Sequence, residues 1–82
     1  MATPKNNNFK NQDSIDIVAA NVYHYRKLKG LTQDLLGFHA GTNVKQIQRI
    51  EKAQTDSKIG LLKSIADVLD VTLADLVTKI EK

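Results

Sequence analysis

The stretch Gly30-Leu-Thr-Gln-Asp-Leu-Leu-Gly-Phe-His-Ala-Gly41, continued by Thr42-Asn-Val-Lys-Gln-Ile-Gln-Arg-Ile-Glu51, decides the fold of this 82-residue chain. Thr32 has the side-chain oxygen of an N-cap, and Gln33-Asp34-Leu35-Leu36 opens a short helix behind it. That helix closes at Gly41, a residue type that takes positive φ without strain. Asn43 caps a further helix from Val44 to about Lys52, with Val44, Ile47 and Ile50 on one side. Gly37 removes a side chain where the two helices cross. It costs about 1 kcal/mol of helix propensity relative to Ala, a penalty that close packing would offset.

Upstream, Ile15, Val18, Val22, Tyr25 and Leu28 recur at spacings of three and four and draw one apolar stripe along a first helix. Asp13 or Ser14 is its expected N-cap. Gly30 ends it, after Lys27 and Lys29, whose charges suit a helix C-terminus. Downstream, Ala53 to Ser57 reads as a loop, with Asp56 or Ser57 capping a fourth helix striped by Ile59, Leu62, Ile65, Ala66 and Leu69. Asp70 suits the left-handed residue that follows a helix. Thr72-Leu-Ala-Asp75 reads as a capping box with Asp in place of Glu, opening a fifth short helix that carries Leu73, Leu76, Val77 and Ile80. No segment alternates as a half-buried strand does. The expected fold is all-α, with five helices.

Composition bounds the rest. The length suits one compact domain, expected over residues 13–82, after a polar Asn- and Lys-rich tail at 1–12 that is expected to be disordered. Cysteine is absent. His24 and His39 stand apart from any ligand cluster, so neither a metal nor another cofactor is expected. No apolar run approaches the ~20 residues of a membrane span, and the start of the chain lacks a signal peptide's apolar stretch. A cytoplasmic protein without membrane contact is the expectation. Among the 12 Lys/Arg and 9 Asp/Glu, residues 1–30 hold five basic against two acidic, 31–52 three against two, and 53–82 four against five. The positive charge therefore leans toward the first two thirds, which suits an anionic partner. Nucleophile–base pairs, carboxylate pairs, phosphate-cradling loops and metal constellations are all missing from the pattern, so no catalytic residue and no enzyme is expected.

Two short capped helices separated by about three residues around a glycine have the spacing of a helix-turn-helix. Over about residues 17–77 the chain resembles the lambda-repressor-like, Cro/XRE-type helix-turn-helix family. The likeness runs through Val18, Val22, Tyr25 and Arg26, then Gly30-Leu-Thr-Gln33, Leu36, Ala40-Gly41, Ile47 and Arg49-Ile-Glu51. It returns at Ile59, Leu62, Ile65-Ala66, Leu69, Val71, Leu73 and Leu76. The chain departs from the pattern at Ala53, where the family usually has Gly, and at Phe38 and His39, where polar residues are common.

The resemblance implies that the third helix lies in the major groove of double-stranded DNA while the second crosses the phosphate backbone. On that reading Gln33 binds a phosphate, and Asn43 caps the recognition helix and touches backbone or base. Val44, Lys45 and Arg49 read bases, with Gln46 and Gln48 beside them: Arg or Lys donates to guanine, Gln pairs with adenine, and Val44 meets a thymine methyl. Lys52 and Lys58 contact phosphates. Arg26 and Glu51 pair structurally between the first and third helices. The implied activity is sequence-specific transcriptional regulation by a homodimer, formed through the C-terminal helices and reading a palindromic operator.

An alternative is a protein-interaction module, such as an antitoxin that covers a protein partner through Phe38 or the last helix. Phe38 has two readings, folded back onto the first helix or exposed at a partner surface. Lys5 and Lys10 in the tail are either idle or reach the minor groove.

Overall fold

The computed structural model describes residues 11–80, an all-α chain of five helices with no strand among the described residues. They are α1 (Gln12–Lys29), α2 (Gln33–His39), α3 (Val44–Glu51), α4 (Ile59–Leu69) and α5 (Leu73–Val77). This matches the expected count and order.

Helix α1 starts two to three residues earlier than the sequence suggests. Its N-cap is Asn11, whose side-chain oxygen accepts from Ser14 N at 3.1 Å, so neither Asp13 nor Ser14 takes that role. Asn11 and Gln12 thus belong to the folded domain, and what remains of the expected tail, 1–10, lies outside the described residues. At the other end Gly30 adopts φ 76°, and Leu31 N bonds back to Arg26 O at 3.1 Å. The buried side of α1 carries Ile15, Ala19, Val22 and Arg26, with Asn21 beside them. Val18 and Tyr25 pack at its margin. Leu28, expected on the stripe, is 71% exposed. The inner line ends at Arg26, and a residue two steps further on, at about 100° each, faces the other way.

One core joins the helices: Val22, Leu36, Ala40, Ile47, Ile50, Ile65, Ala66, Leu69 and Leu76. In α4 the inner line is Leu62, Ile65, Ala66 and Leu69, whereas Ile59 is 70% exposed at the first position. The expected caps Asp56 and Ser57 are not used. Lys58 holds the N-cap position with no side-chain bond, and the Ser57 hydroxyl is buried without a hydrogen-bond partner among the described residues. Asp70 closes the helix at φ 62°, as its residue type suggested.

Helix α5 has the capping box read from the sequence: Asp75 N donates to Thr72 Oγ1 at 3.1 Å, and Thr72 N donates to Asp75 Oδ2 at 2.9 Å. Only Leu76 of its expected stripe is fully buried; Val77 is half exposed and Ile80 lies beyond the helix end. The C-terminal end is gripped by Asn21, whose Nδ2 donates to the carbonyls of Asp75 (3.1 Å), Leu76 (2.8 Å) and Thr78 (2.9 Å). A helix end leaves its last carbonyls without helical partners, and a buried amide from α1 satisfies them here.

Candidate nucleic-acid interface

Helices α2 and α3 meet at Gly37. A Cβ built there would lie 2.7 Å from the backbone carbon of Asn43, closer than such atoms approach, so only glycine admits this crossing. Thr42 N bonds to Gly37 O at 2.8 Å, and Gly41 turns the chain at φ 80°. Asn43 then extends (φ −144°) and its Oδ1 accepts from Gln46 N at 2.9 Å. On α2, Thr32 Oγ1 accepts from Leu35 N at 3.0 Å. Each cap satisfies one amide of its first turn and leaves the leading amides outside the helical ladder, where they favour an anion.

Helix α3 is fixed from beneath by Ile47 and Ile50, both buried. At about 100° per residue, the opposite side carries Lys45, Arg49 and Lys52, with Gln48 next to them. Those three cationic residues are exposed, while Val44, Gln46 and Gln48 are half-buried along the flanks. Of the residues expected to touch DNA, the structure therefore brings Lys45, Arg49 and Lys52 onto one ridge and sets Val44, Gln46 and Gln48 to its sides. Asn43 is exposed at the leading end. Lys58 is exposed too, but stands apart at the start of α4.

The end of α3 explains its direction. Gln54 N bonds to Arg49 O at 2.9 Å and Ala53 N to Ile50 O at 3.0 Å, the paired closure usually made with a left-handed glycine. Here Ala53 takes that conformation at φ 58°, at the position where the sequence departs from the expected glycine.

Beneath the ridge, Glu51 and Arg26 pair as expected. Arg26 Nε donates to Glu51 Oε2 at 2.6 Å and Nη2 to Oε1 at 3.0 Å, with both side chains under a tenth exposed. The hydrogen bonds to Glu51 hold the Arg26 guanidinium above its ordinary pKa, against the opposing pull of burial. Arg26 Nη1 also donates to Leu31 O at 2.8 Å. Gln33, expected to face a phosphate, is half-buried, and its Nε2 donates to Glu51 Oε1 at 3.0 Å.

Sequence reasoning missed that Gln33–Glu51 bond and the Asn21 clamp. For Asn21 a signal was present: it lies three residues after Val18 and four before Tyr25, inside the apolar stripe. The Gln33–Glu51 bond spans 18 residues and has no local signature. Phe38 does not fold back onto α1: it is 75% exposed and edge-on to His39. No group of three or more metal-type ligands exists among the described residues, and no described helix is long and apolar enough to cross a membrane.

Residues 22–76 match the HTH_3 helix-turn-helix family, and the chain belongs to it. It is thereby a member of a DNA-binding regulator family and not an enzyme. The fold is shared with solved structures of low sequence identity. A hypothetical transcription factor, NHTF from Neisseria, superposes with a TM-score of 0.79 at 17% identity, covering 90% of this chain and 86% of that one. The restriction-modification controller protein C.AhdI from Aeromonas hydrophila gives 0.75 at 22% identity, over 79% and 94%. An HTH_3 family transcriptional regulator from Vibrio cholerae gives 0.75 at 22% over 79% of this chain, which spans only 36% of that longer chain. No curated protein matches the chain by sequence.

Proposed function

We propose that this chain is a sequence-specific regulator of transcription that reads a palindromic operator in duplex DNA as a homodimer, as a repressor or controller protein. The observation that carries this reading is the exposed Lys45–Arg49–Lys52 ridge on the side of α3 opposite Ile47 and Ile50. Lys45 and Arg49 donate to base edges in the major groove, with Val44, Gln46 and Gln48 contacting bases from the flanks. Gln33, Lys52 and Lys58 meet phosphates, which fixes the register of α3 without specifying sequence, and Asn43 touches backbone or base. Exposed Ile59 (70%) and Val77 (50%), on the two C-terminal helices, are the apolar surface for the two-fold contact. The likeness in fold to a restriction-modification controller favours a controller role, and a cytoplasmic location goes with that role.

Selection of bound sequences from random duplexes tests this. The expected product is a palindrome with half-sites about one helical turn apart. Lys45→Ala or Arg49→Ala should weaken binding to that product far more than to random DNA, whereas Lys52→Ala should weaken both and flatten the salt dependence. Equal effects of all three on selected and random DNA would refute the assigned roles. A second reading, a surface for a protein partner, is favoured by Phe38 (75% exposed) and Leu35 (46%) on one face of α2. Recovery of no preferred duplex would leave that reading in its place.

A further inference from the structure

Glu51 makes more bonds than its ion pair requires. Arg26 alone neutralises the carboxylate through two hydrogen bonds, yet Oε1 also accepts from Gln33 Nε2 at 3.0 Å. Glu51 is the last residue of α3, and Gln33 is the first of α2. Arg26 adds a bond to Leu31 O, just ahead of the Thr32 cap. The start of one helix and the end of the other are therefore fixed to the same buried carboxylate.

For Gln33 the consequence is a held side chain. One N–H of its amide is taken by Glu51, which selects a single rotamer and leaves the second N–H for a further acceptor. A long polar side chain held in advance loses less freedom when it binds, so its contact gains affinity. We propose that Glu51 is a positioning residue for duplex binding. It restrains the Gln33 side chain in advance of its contact with the DNA backbone, and it ties that side chain to the helix that carries Lys45 and Arg49. This rests on the duplex-binding reading above.

The test is a mutant cycle read on a labelled duplex of mixed sequence at low salt, with the melting temperature of each variant as control. Replacing the pair together, Arg26→Met with Glu51→Met, leaves no unpaired buried charge and a similar volume, a change buried pairs often tolerate. It also removes the acceptor that holds Gln33. We expect the paired variant to fold and to bind the duplex roughly three- to tenfold more weakly, about one hydrogen bond's worth. Gln33→Met should give a similar loss, and the paired replacement should add nothing in the Gln33→Met background.

An equal loss in both backgrounds would overturn the proposal and leave Glu51 with a structural role only. If the paired variant does not fold, Glu51→Asp keeps the charge and draws the carboxylate back from Gln33, and the same comparison applies. Absence of any salt-sensitive binding by the native chain would instead refute the duplex reading itself, a result distinct from an additive cycle.

Discussion

Helices α3 and α5 are both short and both pack on α1, yet they are anchored by opposite chemistry and turn opposite faces outward. Two buried isoleucines and the Arg26–Glu51 pair hold α3, whose free side is cationic. One buried leucine and the Asn21 amide hold α5, which leaves Val77 half exposed. The contrast bears on partners: a fixed cationic ridge suits a rigid polyanion, and an apolar face on a lightly held helix suits another protein surface.

The largest expected effect falls on the α3 anchor. Glu51→Ala should cost about 3–5 kcal/mol of folding stability, because Arg26 is left buried without its partner. Asn21→Ala, at the α5 anchor, should cost less, about 1–3 kcal/mol, for the unsatisfied carbonyls it leaves. Denaturant melts of the two variants give the ranking, and equal losses would erase the distinction between the anchors. Hydrogen exchange sharpens it: Asn21→Ala should speed exchange in α5 and leave the α3 amides protected.

Gly37→Ala comes next. The added methyl meets the Asn43 backbone, and the strain of about 1–3 kcal/mol exceeds the helix propensity gained. Duplex affinity should fall with it, since Asn43 leads α3. Ala53→Gly is the smallest and has the opposite sign. Relief of the left-handed alanine, less the entropy of a glycine in the unfolded chain, should stabilise by about 0.5–1 kcal/mol. A thermal melt that shows destabilisation would refute the strain at that position.

The helix-turn-helix was legible in the sequence because its determinants are local. Thr32 and Asn43 cap by their own side chains, Gly41 turns by its own φ, and Gly37 marks a close approach. Determinants that depend on distant neighbours were less visible. Periodicity placed Leu28 and Ile59 on the apolar stripes, but a stripe does not reveal where the core ends, and both residues lie beyond it. Asp56 and Ser57 are good cap formers, yet the Ser57 hydroxyl turns inward and Lys58 takes the capping position. The outward character of Lys45 and Arg49 followed from the helical pattern, whereas the tether on Gln33 required three helices to be placed first.

The most direct test of where DNA lies on this domain is a map of backbone amide NMR shifts in the isotope-labelled chain as duplex is added. Changes concentrated at the start of α2 and along Lys45, Gln48, Arg49 and Lys52 are the expected result. Changes confined to α5 and the Ile59 end of α4, with the α3 ridge silent, would contradict the assignment of α3 as the reading helix.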